Sequence, residues 1–154
     1  MPAPPPFEVE RDGFLISTDR ARIDFDAVER LLRGSHWASE RSRAAIEHSV
    51  ENSRCFGLYD AATGRQIGLS RVVTDYATFA WLCDVIVDDA YRGKGLGAWI
   101  VEILFVDPAL RDVRRWILAT LDAHGLYERY GFTAMARPER WMERILSKTD
   151  CTQD

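Results

Sequence analysis

Cysteine is scarce and patternless: Cys55, Cys83 and Cys151 are odd in number and widely spaced, with no CxxC pair. That spacing excludes a disulfide framework and supplies no zinc-ligand set, so no metal is expected. An excess of basic residues is also missing. Lys and Arg total 20 against 24 Asp and Glu, a formal net charge of -4, whereas phosphate-backbone surfaces rely on clustered cations. No nucleic-acid partner is expected. Long apolar runs are absent too, because the longest, residues 96–106, is broken by Glu102 and falls well short of the roughly 20 residues that cross a bilayer. No membrane partner follows. The start, "MPAPPPFEVE", lacks the basic-then-apolar layout of a secretory signal. It reads as an extended proline-rich leader over residues 1–12, and a reducing cytoplasm is the expected compartment.

What is present is an ordinary globular balance, 47% apolar and 29% charged over 154 residues, enough for one core and one domain, placed at 13–147 with a polar tail at 148–154. "GFLIS" predicts a strand, Asp24 caps a helix with Phe25, Val28, Leu31 and Leu32 on one face, and Gly34 ends it. A second helix is predicted with Ser39 as its cap and a thin stripe of Ile46 and Val50. Residues 55–59 and 66–73 read as a hairpin around "DAATGR", with Gly64 suited to positive φ. Residues 78–87, "TFAWLCDVIV", have the composition of a central strand buried on both faces. After the glycines, residues 96–107 are helical and Pro108 marks the end. "RRWILATL" predicts a strand, Asp122 a cap for a short helix carrying Ala123, Leu126, Tyr127 and Tyr130, and "FTAMA" and "WMERIL" the last two strands.

Between the buried strand and the apolar helix lies "YRGKGLGAWI". Glycines there let a ligand approach the backbone, and the unpaired amides and dipole of a helix N-terminus with no acidic residue favour phosphate, with Arg92 and Lys94 adding charge. The spacing fits neither a Walker loop nor a dinucleotide fingerprint, since Gly93, Gly95 and Gly97 run GxGxG and Ile100 fills the next slot. Arg92, Gly95 and Gly97 do form Arg-x-x-Gly-x-Gly, which resembles the acyl-CoA pyrophosphate loop of the GNAT superfamily of N-acyltransferases. "LYERYGF" resembles that family's late signature, with Ala123, Tyr127, Gly131 and Phe132 at the family's offsets. One departure is Thr120, which stands where the family commonly has Asn.

The resemblance covers nearly the whole chain. It implies an α/β GNAT fold with a mixed sheet of six to seven strands and about four helices, and an acetyl-CoA-dependent N-acetyltransferase using direct attack in a ternary complex. It further implies that the pantetheine arm pairs with the backbone of Val85, Ile86 and Val87, and that the amides of Gly93, Lys94, Gly95, Leu96, Gly97 and Ala98, with Arg92, receive the pyrophosphate. Tyr127 is implied as the acid for the leaving thiolate, and a phenol of pKa about 10 suits a thiol of about 8.5. Acetyl-CoA is the co-substrate, a small-molecule amine the acceptor, and a homodimer the assembly that many relatives adopt. Rival readings are a CoA-binding regulator with a GNAT fold and no chemistry, and a protein or peptide N-acetyltransferase.

The acceptor side is expected from "GSHWASER" and "TDYATFAW", where His36, Trp37, Tyr76, Phe79 and Trp81 supply aromatic walls. Strand alternation places Trp81, Cys83, Val85 and Val87 on one face and Asp84 on the other. A carboxylate in so apolar a strand needs a partner, which leaves Asp84 two roles: a structural ion pair or acceptor binding. No residue is assigned as the general base.

Overall fold

The computed structural model describes residues 2–146; the tail expected at 148–154, with Cys151, lies outside them. The Asp12–Gly13 pair folds the chain back on itself at once. Both residues are left-handed, with φ of 52° and 83°, the geometry that matches the twist of a two-residue hairpin and that Asp-Gly tolerates. The leader is therefore shorter than the sequence suggests: strand β1 (Glu8–Arg11) pairs antiparallel with β2 (Phe14–Ser17).

Helix α1 (Phe25–Arg33) begins as predicted, with the Asp24 carboxylate accepting from the amides of Asp26 and Ala27. Helix α2 (Arg43–Glu51) starts later than expected, because its cap is Ser42, whose hydroxyl accepts from the Ala45 amide. Residues 36–40 form a turn instead. Strands β3 (Arg54–Asp60), β4 (Gln66–Thr74) and β5 (Phe79–Val87) form the meander, with Gly64 at φ 73° in the β3–β4 turn. Helix α3 (Leu96–Leu104), strand β6 (Arg115–Ile117) and helix α4 (His124–Glu128) complete the regular structure apart from short 3-10 turns.

The sheet runs β1-β2-β3-β4-β5-β6, antiparallel except for the parallel β5–β6 pair. One core packs under α3 and α4, around Phe56, Leu58, Trp99, Ile100 and Leu104. The other packs under α1 and α2, around Val28, Leu32, Ile46, Leu69 and Ile86. Among the described residues the result is a mixed α/β sheet of six strands covered on both faces, with four α-helices.

Four expectations change. β5 is not central but next to the edge, and "RRWILATL" contributes only three strand residues. "FTAMA" and "WMERIL" form no strand among the described residues. Pro138 between them opens a 3-10 turn and has no amide to give a ladder; beyond it Met142 is 96% exposed, with Ile145 and Leu146 also out in solvent. Finally, Asp122 does not cap α4, whose N-cap is Ala123 with no side-chain cap hydrogen bond; just before it, the Thr120 hydroxyl accepts from the Ala123 amide at 3.0 Å.

A buried ion pair joins the two ends of the sandwich. Arg54 at the start of β3 meets Asp107 after α3 through two hydrogen bonds of 2.9 and 3.1 Å, and its guanidinium also reaches the Pro5 carbonyl of the leader. Both side chains are buried. Arg54→Met strands the Asp107 carboxylate without a counter-charge and should cost about 3–5 kcal/mol in urea unfolding, much of it recovered in Arg54→Met/Asp107→Leu. A single variant within about 0.5 kcal/mol of wild type would show that the pair holds nothing.

Candidate active site

The site is built on an irregularity in β5. Opposite Ser70 the register slips, so that Leu69 pairs with Ile86 and Arg71 with Cys83, which leaves Asp84 and Val85 facing one residue of β4. Asp84 sits at φ 54°, a left-handed conformation that Asp tolerates better than most residues. An extra residue reverses facing. Before it, Ala80 and Leu82 join the core under α3; after it, Ile86 joins the core under α1 and α2, while Val85 and Val87 pack toward α3. The simple alternation read from the sequence therefore fails at Asp84, and Cys83 and Asp84 share the α1–α2 side.

The same strand has an open edge. Among the described residues β6 pairs only with Phe79, Ala80 and Trp81, so from Leu82 onward no described strand lies on the side of β5 away from β4. The Asp88 amide bonds the Ile67 carbonyl of β4 at 2.7 Å. By the two-residue period, Ile86 faces β4 as well and Val87 turns its N–H and C=O to the open edge. Of the three residues assigned to pantetheine, Val87 presents itself there; Val85 lies in the bulge opposite Ser70, and Ile86 is committed to β4 and the opposite core.

The open edge leads directly to the glycine turn. Gly93 and Gly95 adopt φ of 79° and 73°, and a Cβ built at Gly93, Gly95 or Gly97 meets nothing within 4 Å. Gly95 is the N-cap of α3 and provides no side-chain acceptor; the Trp99 amide is bonded to the Gly95 carbonyl. The amides of Leu96, Gly97 and Ala98 in the first helical turn are thus directed at unfilled space. Leu96 itself is buried, so only its backbone serves. Arg92 is exposed and paired with Asp89 at 3.0 Å, and Lys94 is exposed beside it. This donor set fits a pyrophosphate, and the space over the glycines is what such a group requires.

Tyr127 belongs to the core under α3, against which Val85 and Val87 also pack. It is buried, with Phe132 edge-on at 5.8 Å, and lines a cavity of about 360 Å3 with Leu118, Thr120, His124 and Phe132. Burial pushes its phenol above the ordinary tyrosine value, so the hydroxyl keeps its proton through the neutral range. Tyr130, just after α4, packs against the α3 core and also makes a link: its hydroxyl donates to the Ala98 carbonyl at 2.9 Å, tying the end of α4 to the first turn of α3. Gly125 needs no close approach by protein, since a Cβ there touches nothing.

On the opposite face stand the residues expected on the acceptor side. Asp84, 5% exposed, accepts from Trp37 Nε1 at 3.0 Å through Oδ1, and from Arg41 at 2.7 Å and Arg71 at 2.8 Å through Oδ2. Burial alone would raise its carboxyl, but the two guanidinium hydrogen bonds outweigh that and hold it below the usual aspartate range. Asp84 is the structural ion pair of the two roles the sequence left open, and it is too well satisfied to take a proton from an amine. Arg41 and Arg71 are the residues sequence reasoning missed; the demand of a buried carboxylate for a cation was the available signal. Trp37 and Trp81 remain 45% and 46% exposed, and His36 lies edge-on to Trp37 at 5.0 Å. Phe79 is half-buried at the start of β5. Tyr76 is not brought to this group, because it packs toward the α3 core from the β4–β5 loop at φ 62°. Among the described residues no group of three or more His, Cys, Asp or Glu is placed to hold a metal ion.

Since the folded Asp84 titrates lower than the unfolded one, its contribution is present above the unfolded value and disappears as pH falls through the folded one. Asp84→Asn should lose up to about 3 kcal/mol at pH 7, and the gap from wild type should close as pH drops below about 4. Urea titrations at both pH values check this, and equal stability at pH 7 would contradict the network.

The acetyltransferase (GNAT) domain family matches residues 51–134. An acetyltransferase-named protein of Gibberella zeae is 31% identical over 138 residues, covering 76% of this chain and 77% of its own. A crystal structure from Xanthomonas campestris pv. campestris, described as belonging to the GNAT family, superposes at a TM-score of 0.83 with 38% identity, over 93% of this chain and 100% of that one. The fold is shared with a GNAT acetyltransferase from Elizabethkingia anophelis solved with acetyl-CoA bound, at a TM-score of 0.60 and 16% identity, over 90% and 91% of the two chains. With the family domain spanning β3 to α4 and a relative similar over most of both lengths, the chain belongs to the GNAT family of acetyltransferases.

Proposed function

We propose that the protein moves the acetyl group of acetyl-CoA to the primary amine of a small molecule by direct attack within a ternary complex. The observation that carries this is the continuity of the open β5 edge with the uncapped glycine turn. Acetyl-CoA supplies the activated thioester. The amides of residues 93–98 receive the pyrophosphate, with Arg92 and Lys94 adding charge once Arg92 leaves Asp89. Val87 offers its amide and carbonyl at the open edge, where the amide stabilises charge developing on the thioester oxygen. Tyr127 holds a proton at its hydroxyl for the departing sulfur: the neutral amine nitrogen bonds to the carbonyl carbon, the C–S bond breaks with its electron pair on sulfur, the sulfur takes the phenol proton, and the proton shed by the nitrogen passes to solvent water, from which the phenol is restored. Thr120 supports that arrangement by fixing the start of α4, so replacing the family's Asn does not leave the helix unanchored. This weakens the case for a regulator that binds CoA without turning it over.

Two measurements test the reading. Gly97 has no positive φ and open space at its Cβ, so Gly97→Leu should fold as wild type does, while the rise in Tm on adding CoA largely disappears. A full CoA-dependent rise in the variant would remove the phosphate assignment. Tyr127→Phe should lower kcat by about 10²–10⁴-fold with little change in the KM for acetyl-CoA. Because burial raises the Tyr127 pKa, the wild-type rate should show no loss of the acid below about pH 10; a variant as active as wild type would end its role.

A further inference from the structure

Asp84 holds more cation than a loop anchor requires. One carboxylate, deeply buried, faces two guanidiniums on the same oxygen, Arg41 from the loop before α2 and Arg71 from β4. Arg71 alone accounts for the charge, and its Nη1 is also occupied by the Ser53 hydroxyl at 3.0 Å. Arg41 is the more accessible of the two, its side chain 25% exposed. A guanidinium is a planar fork of five N–H donors, so pinning one nitrogen to a fixed carboxylate orients the rest of the plane. That is the preparation a carboxylate ligand needs, because little freedom remains to be lost on binding.

The neighbourhood of Arg41 is aromatic. Trp37 shares the Asp84 carboxylate with Arg41, and Trp81 lies three residues earlier on β5, paired with Val73 while Cys83 pairs with Arg71. Cross-strand partners two apart lie on one face, so Trp81, Cys83 and Arg71 are presented together. Exposed indoles at this position form apolar walls beside a cation. The Cys83 thiol between them is pushed up to about 11 by burial and stays neutral.

Resting on the acetyl-transfer reading above, we infer that the acceptor is an amino acid, an amine carrying its own carboxylate, which Arg41 receives between the indoles of Trp37 and Trp81. A purely cationic amine would meet the like charge of Arg41 at this place, whereas a carboxylate is drawn to it. Acetylation then forms the N–C bond and breaks the C–S bond, and the carboxylate is unchanged.

The test compares free amino acids with aromatic or aliphatic side chains against their carboxamides, all with the full chain and acetyl-CoA at one pH. Arg41→Ala should lower the ratio of kcat/KM for acid over amide by at least about tenfold, the worth of a hydrogen bond to a charged group. The ratio of ratios cancels the different basicities of the two amines. If Arg41 only secures the loop, both rates fall together and the ratio stays put, which overturns the inference; so does a wild type that acetylates the amides alone. Should no amine be turned over, indole fluorescence of the CoA-saturated protein is titrated with N-acetyl amino acids and their amides. Saturation by the acid alone, lost in Arg41→Ala, keeps the carboxylate site and removes the transferase reading. No preference for the acid removes the carboxylate site.

Discussion

The tie between Asp84 and its three donors is the constraint on which the site depends. A left-handed Asp inside a strand costs on the order of 1–3 kcal/mol in backbone strain, and burying its charge would cost more if the charge were unpaired. Trp37, Arg41 and Arg71 offset both, and they come from separate parts of the chain: the loop before α2 and the neighbouring strand. The bond that keeps the bulge in place therefore also sets the loop over the acceptor face. Loop and bulge are one mechanical unit, and neither position is independently adjustable.

From the bulge, two asymmetries follow. On the α3 side the reversed facing brings Val85 and Val87 alongside the helix whose N-terminus carries the glycines. On the β6 side the short pairing of three residues leaves a gap between parallel strands. Parallel neighbours need a long crossover, here supplied by α3, and that crossover begins at the mouth of the gap. The anion site and the unpaired edge thus adjoin because of topology, and Tyr130 ties the end of α4 to Ala98 in the first turn of α3.

Much of this was legible. Asp24, Gly34 and Gly64 act as their local chemistry predicts, and "RGKGLG" is a turn into an uncapped helix. These features are decided by residues close in sequence. The misreadings have longer reach: Ser39 lost the cap to Ser42 because residues 36–40 are used to bring Trp37 and Arg41 to Asp84. The faces of β5 were misassigned because a bulge made by Asp, without a glycine, leaves no mark in a pattern of apolar residues. Asp12–Gly13 is a readable hairpin signal, and it ends the proline-rich leader early. The last two predicted strands had composition in their favour, but a strand also requires an edge to join, and composition does not encode one.

The bulge also determines where the chain length is free to vary. In the β3–β4 turn, residues 61–65 are exposed, and a lineage of sequences is free to lengthen or shorten it at small entropic cost. Between Phe79 and Val87 the count of residues carries meaning by itself. Deleting any one of them would restore regular pleating and send Val85 and Val87 to the wrong side of the sheet. Insertions and deletions should therefore be tolerated at one end of this meander and excluded at the other, whatever amino acids are involved.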